Sequence, residues 1–259
     1  MSEQSEQPPA PRTDMVSKAL RLLVLLGEAP RGMTLSELAR RADYPVSTTH
    51  RLLTSIGREG FAILDDDQRW KLGLRLFELG QNVLQARGFA DVATPVLQRI
   101  SRRTGEPTLM SVLDGHSQLY VHYVEGHQQV QIAGQPGQRG PLHCTSMGKC
   151  LIAFAGEQRR EELLADLALP ETGPRTITDR SRFRAEIEQV REQGHAVADE
   201  EHESEILAIG VPVLSPAGVA VAALSTAAPR FRSSLERLRG HLDALHQAAK
   251  ELAIALPLR

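Results

Sequence analysis

Residues 34–72 constrain the chain most: "TLSELARRADYPVSTTHRLLTSIGREGFAILDDDQRWKL". Thr34 and Glu37 stand in capping-box spacing, where each side chain satisfies an amide at a helix start. Leu35, Leu38, Ala39 and Ala42 then share one helical face, and Asp43 to Pro45 form a tight turn. In the next stretch Val46, Thr49, Leu52, Leu53 and Ile56 recur at steps of three and four, the period of a second helix with that face inward. Ser47, Thr48, His50, Arg51, Thr54 and Ser55 are left outward, with Arg58 near the end. An earlier helix is legible in "MVSKALRLLVLLGEA", where Met15, Ala19, Leu22, Leu23 and Leu26 share a face and "GEAPRG" stops it. Two short helices across a three-residue turn fit a helix-turn-helix. Two brief strands follow, Phe61–Leu64 and Arg69–Leu72, around an Asp-rich turn. They read as the hairpin of a winged helix.

The outward residues suit contact with a nucleic acid duplex. Ser and Thr are short enough to let a helix enter the major groove while bonding phosphates or base edges, and Arg takes guanine bidentately. Ser47, Thr48, His50 and Arg51 are the expected DNA contacts, with Thr49 turned partly inward and Arg58 and Arg69 on phosphates. Lys71 is a further phosphate candidate, whereas the three aspartates at the hairpin tip repel a DNA backbone. Charge is distributed accordingly. Residues 15–88 carry eleven Lys/Arg against eight Asp/Glu, net +3, on a chain whose overall formal charge is -2. A polyanionic partner is expected for the first third alone. The alternative is a helical hairpin that serves oligomerisation.

"GLRLFELGQNVLQARG" (73–88) continues as a helix whose stripe of Leu74, Leu76, Phe77, Leu79, Val83 and Leu84 is broad for a lone linker. It is expected to pack against a symmetry mate or the first helix, giving a C2 dimer that reads a near-palindrome. From Phe89 a helix leads into strand-like alternation about Asp114-Gly115. A further strand at 129–134, helices around 157–167 and 181–194, and strands in "HAVAD", "ILAIGVPVLS" and "VAVAALST" follow. One long helix closes the chain from Ser233. A mostly antiparallel sheet with helices to one side or both makes this an α+β region. With 41% hydrophobic and 24% charged residues a packed core is feasible. No apolar run reaches the roughly 18 residues of a membrane span. Residues 1–14 are polar and Pro-rich, with no signal-peptide pattern, and read as a disordered lead-in. Two cysteines give no disulfide framework, which fits a reducing cytoplasm.

The segment "HCTSMGKCLIAF" (143–154) concentrates the remaining chemistry. Ser146 and Lys149 stand in the S-x-x-K spacing of a serine nucleophile, but the S-D-N and K-T-G elements that accompany it are missing, and the chain is read as no enzyme. His143, Cys144 and Cys150, with Asp199, Glu200, Glu201 and His202, offer metal-ligand types. Cys150 lies in an apolar helical run, however, and reads as a small hydrophobe. The acidic run 199–201 is expected to be a solvated turn. The favoured reading is a ligand wall: a helix starting near Ser146 points free amides of Ser146, Met147 and Gly148 at an anion. No cofactor or metal is expected.

The order of elements, with "LSELARRADYPVSTTHRLLTSIGREGF", "GQRGPLHCTSMGKCLIAF", "GHAVADEEHES" and "GVPVLSPAGVAVAALSTAAP", resembles the IclR family of bacterial transcriptional regulators over nearly all of residues 15–256. The resemblance implies a winged helix-turn-helix domain (15–72), a linker helix (73–88) and a GAF-like effector-binding domain (89–259), assembled as dimers or dimers of dimers. It implies a ligand-responsive regulator of transcription, expected to be a repressor, whose effector is an organic acid or related metabolite. It also implies a cavity shaped by Gly140 and Leu142, the start of the helix at Ser146, the stretch "ADEEHESEILAIG" (198–210) with Ala198 and Ala208, and Leu224, Ser225 and Thr226. Some members carry aspartate where this chain has Ala198 and cysteine where it has Ala208. Their absence predicts a roomier, less polar cavity.

Overall fold

The computed structural model describes residues 14–86, 92–129, 132 and 134–255. The expected lead-in lies, up to Thr13, outside the described residues, as do parts of the expected linker and of the strand at 129–134 (130, 131 and 133). The chain divides into two compact units, Met1–Val83 and Leu84–Arg259.

The first unit contains α1 (Met15–Gly27), β1 (Met33–Thr34), α2 (Leu35–Ala42), α3 (Val46–Arg58), β2 (Ala62–Leu64), β3 (Arg69–Leu72) and the start of α4 (Leu74–Ala86). The capping box forms as its spacing requires. The Thr34 amide donates to Glu37 Oε2 at 2.8 Å, and the Glu37 amide donates to Thr34 Oγ1 at 3.3 Å. These bonds hold the Glu37 carboxyl below its ordinary range. Asp43 ends α2 in the left-handed region at φ 58°, which turns the chain into α3 within three residues. Leu22, Leu26, Leu38, Leu53 and Trp70 meet in one buried cluster. Full burial of a leucine stabilises by about 1.5–3 kcal/mol, so these side chains fix the angle between α2 and α3. Strand β3 is flanked by β2 and by the two-residue β1, so the wing is three-stranded.

The second unit is built on a six-stranded antiparallel sheet of order β6-β5-β4-β9-β8-β7, formed by β4 (Thr108–Asp114), β5 (Ser117–Val124), β6 (Arg139–Gly140), β7 (Ala196–Asp199), β8 (Ile206–Leu214) and β9 (Ala220–Pro229). Strand alternation sends successive side chains to opposite faces. Met110, Leu207, Ile209, Val211, Ala222 and Leu224 pack with Leu97 of α5 (Thr94–Thr104) and Leu245 and Leu252 of α10 (Leu242–Ala255). Leu109, Ala196 and Ala223 pack on the other face, with Leu151 of α6 (Ser146–Ala153), Leu163 of α7 (Glu157–Asp166) and Phe183 of α8 (Arg180–Gln193). Helices therefore cover both faces. The expected single closing helix is two, because the chain breaks at Gly240 between α9 (Leu235–Arg239) and α10.

Candidate functional site

On the reading helix α3, Ser47, His50, Arg51 and Arg58 are exposed and Thr48 is half-buried. Thr49 is fully buried, and its hydroxyl donates to the Pro45 carbonyl at 3.1 Å. The step of three that links it to Leu52 turns it into the core, which removes it from the outward set. Arg69, expected on a phosphate, is engaged within its own unit. Its guanidinium donates to the Gly32 carbonyl at 3.0 Å and to Glu37 Oε2 at 3.2 Å, tying β3 to the start of α2. Lys71 pairs with Asp65 at 2.7 Å. Both wing cations are thus held by carboxylates of their own unit.

The second site is a cavity of about 250 Å³ between the sheet and the start of α6. Of the expected wall residues, Gly140, Ser146, Met147, Ala198, Ala208 and Ser225 line it. Leu224 and Thr226 do not, because alternation along β9 points them to the α5/α10 face. Leu224 joins that core, and the Thr226 hydroxyl donates to the Pro107 carbonyl at 3.0 Å. Leu142 is likewise core, packed beneath α6. Its backbone leaves no room for a side chain at Gly148, where a Cβ would stand 2.3 Å from the Leu142 carbonyl oxygen. Gly148 is therefore a packing glycine. Its amide, expected to face a ligand, donates to Oγ1 of the capping Thr145 at 3.1 Å. Cys144 of the expected wall segment and His202 and Ile206 of the expected stretch 198–210 line it too, and the wall also holds Leu109, Tyr120 and Ala227, which sequence reasoning missed. For Ala227 the signal was present, since it lies two residues from Ser225 and shares its face.

Two polar groups of the wall are deeply buried. Ser146 and Ser225 are 2% and 3% exposed, and among the described residues neither hydroxyl has a hydrogen-bond partner. Gly210 brings them together. It pairs in register with Ser225, and a Cβ on it would stand 3.1 Å from Ser146 Oγ. The absence of a side chain lets the helix start settle on the sheet. The Ser146 and Met147 amides open α6, where a helix leaves N–H groups unpaired and its dipole favours negative charge. Burial pushes the Tyr120 hydroxyl up to about 12, so it stays protonated in the wall at neutral pH.

Lys149 does not serve Ser146. Fully buried, its amine donates at 2.7 Å to both Glu186 Oε1 and Glu201 Oε1, joining α6, α8 and the β7–β8 loop. The run 199–201 is consequently no solvated turn. Glu200 and Glu201 are buried, and Arg230 holds Glu200 at 2.6 Å and also binds Asp199. Burial raises the Glu201 carboxyl above its ordinary value, against the lowering effect of Lys149. Cys150 is sealed within α6, and burial pushes its thiol up to about 12. Cys144 Sγ lies 3.7 Å from His202 Nδ1, and among the described residues no three His, Cys, Asp or Glu side chains converge as a metal would need.

Comparison with known proteins agrees with both halves of this geometry. Residues 15–65 match the IclR helix-turn-helix domain, and residues 81–254 match the C-terminal domain of IclR bacterial transcriptional regulators. The chain is 31% identical to the HTH-type transcriptional regulator BhcR of Paracoccus denitrificans, over 94% of this chain and 88% of that one. It is 32% identical to the HTH-type transcriptional regulator KdgR of Escherichia coli, over 93% and 92%. A crystal structure of an IclR homologue from Microbacterium hydrocarbonoxydans, complexed with 4-hydroxybenzoate, superposes with a TM-score of 0.82 at 30% identity, covering 93% of this chain and 98% of that one. The chain belongs to the IclR family of bacterial transcriptional regulators: it is a DNA-binding regulator and not an enzyme.

Proposed function

We propose that the protein is an effector-responsive repressor of a catabolic or transport operon, acting in the cytoplasm on operator DNA. The observation that carries the effector reading is the cavity itself, with two buried, unpartnered hydroxyls and a helix start in its wall. The 4-hydroxybenzoate complex of the Microbacterium relative supports a small-molecule occupant of organic-acid type. Ser47, Thr48, His50 and Arg51 contact bases or backbone, and Arg58 a phosphate. The working form is a dimer, within which the winged unit (15–72) and linker helix (73–88) bring two reading helices to one operator. Exposed Val16, Leu20 and Val24 on α1, and Leu74 and Phe77 on α4, support that assembly. Apolar rows of this kind on a soluble chain mark a protein interface. Val83 and Leu84 of the expected stripe fall outside the described side chains.

A ligand shifts an equilibrium only through differential affinity, so the effector must favour one arrangement of the two reading helices over another. The test is operator binding by fluorescence anisotropy against salt and against small-molecule pools. A repressor binds its own promoter region with a steep salt dependence and releases it on adding one metabolite class. Binding that no metabolite alters removes the effector reading, and activation of transcription on binding reverses the sign.

A further inference from the structure

The walls of the cavity differ in kind, and the difference selects a ligand. Ala198, Ala208 and Ala227 stand in register on adjacent strands, Ala198 opposite Ala208 and Ala208 opposite Ala227. All three line the cavity. Its floor is therefore a row of methyl groups three strands wide, flanked by Leu109, Met147 and Ile206. No hydroxyl or amide of this floor is offered by a side chain. Of the other polar side chains in or beside the wall, Gln118 donates to Thr145 Oγ1 at 2.7 Å and to the Pro141 carbonyl, Gln138 donates to Gln135 at 2.5 Å, and His202 lies 3.7 Å from Cys144 Sγ and 3.9 Å from Glu203. The Tyr120 hydroxyl accepts from Gln118 at 3.4 Å and keeps its own O–H to give, away from the floor.

The wall where α6 starts offers donors for one small anion. Ser146 and Ser225 bring hydroxyls, and the Ser146 and Met147 amides bring a helix start. The wall's guanidinium, Arg139, is bound to Asp114 and to Ser117 Oγ, and Lys149 is taken by two carboxylates. Glu203 adds negative charge to the wall. A second anionic group would therefore meet no unpaired arginine or lysine among the described wall residues. Burying an unpaired charge is far more costly than burying hydrocarbon.

Resting on the effector reading above, we infer that the cavity is built for a compact apolar monocarboxylate: one carboxylate at Ser146, Met147 and Ser225, and a hydrocarbon body lying over Ala198, Ala208 and Ala227. The volume of about 250 Å³ equals that of about eight liquid waters, which admits a six-membered ring with its carboxylate. Sugar acids find no partners for their hydroxyls on the floor itself, and dicarboxylates and phosphates meet no unpaired arginine or lysine among the described wall residues. The floor alanines are the specificity-determining residues. Ser146 and Ser225 position the carboxylate.

The test uses the full chain, with calorimetric titration and thermal melting against benzoate, cyclohexanecarboxylate, gluconate, terephthalate and inorganic phosphate. Benzoate and cyclohexanecarboxylate should bind and raise the melting temperature, and the other three should not. Ala208→Leu, which fills the floor, should weaken benzoate at least tenfold, and Ser146→Ala about tenfold. Ala208→Ser, a smaller change, should weaken benzoate and leave the unliganded melting temperature in place, which guards against misfolding of the leucine variant. Benzoate failing while gluconate, terephthalate or phosphate binds overturns the ligand class and leaves the effector reading standing. All five failing also overturns the class. If, in addition, no small-molecule fraction of a cell extract changes operator binding, the effector reading falls with it.

Discussion

At the scale of single residues, the decisive quantity is whether a polar group already has a partner. Arg51 is exposed, and no ion pair holds it among the described residues, so Arg51→Ala should weaken operator binding by about 1–3 kcal/mol if it reads a base, measured by anisotropy titration. Arg69 is bound to Glu37 and the Gly32 carbonyl. Arg69→Ala should therefore lower the melting temperature and leave the salt slope of DNA binding unchanged. Lys149 gives a pH-dependent case. A carboxyl whose folded-state pKa is raised, as at Glu201, binds its proton more tightly folded than unfolded. Its contribution to stability is full below the ordinary carboxylate value and is lost as pH rises through the raised one. Lys149→Met removes the ammonium that lowers it. Urea unfolding of that variant should show a loss of about 3–5 kcal/mol near neutral pH, shrinking as the pH falls and Glu201, its pKa raised further without the ammonium, takes up a proton.

At the scale of elements, local pattern was legible and facing was not. The capping box, the turn at Asp43 and the period of α3 are written in neighbouring residues, and the structure reproduces them. Strands β1 and β6 have two residues each, too few to show alternation. The resemblance carries Leu224, Ser225 and Thr226 into the cavity as one stretch, yet the strand period sends Leu224 and Thr226 to the opposite face. Lys149 meets Glu186 and Glu201 from 37 and 52 residues away, and nothing local announces such a pairing. The same facing argument bears on α6. A Cβ at Gly148 would meet main chain rather than a movable side chain. Gly148→Ala should therefore destabilise by about 1–3 kcal/mol through overpacking, read by urea denaturation.

At the scale of the whole molecule, two compact units divide the labour of DNA reading and cavity formation. Their fold class and order were legible because several separated motifs occur in one sequence. What was not legible is how the cavity's polarity is arranged, since that depends on which hydroxyls remain unpaired after folding. The proposed dimer makes a prediction of its own. Phe77→Glu places a charge in the exposed apolar row of α4. It should shift the protein toward monomer in sedimentation velocity and steeply weaken binding to a two-half-site operator, while binding to a single half-site changes little.

The alanine floor has a consequence for inheritance. The backbone of β7, β8 and β9 is held by its own ladder of hydrogen bonds, so the three methyl groups leave the sheet's register to the main chain. Single-base changes at those codons would redraw what the cavity admits while α3 and its outward residues stay as they are. If the cavity holds the proposed effector, a lineage descending from this protein could thus acquire a new inducer and keep its old operator. The same property would make the chain a scaffold for a biosensor, retuned at Ala198, Ala208 and Ala227 with its promoter unaltered.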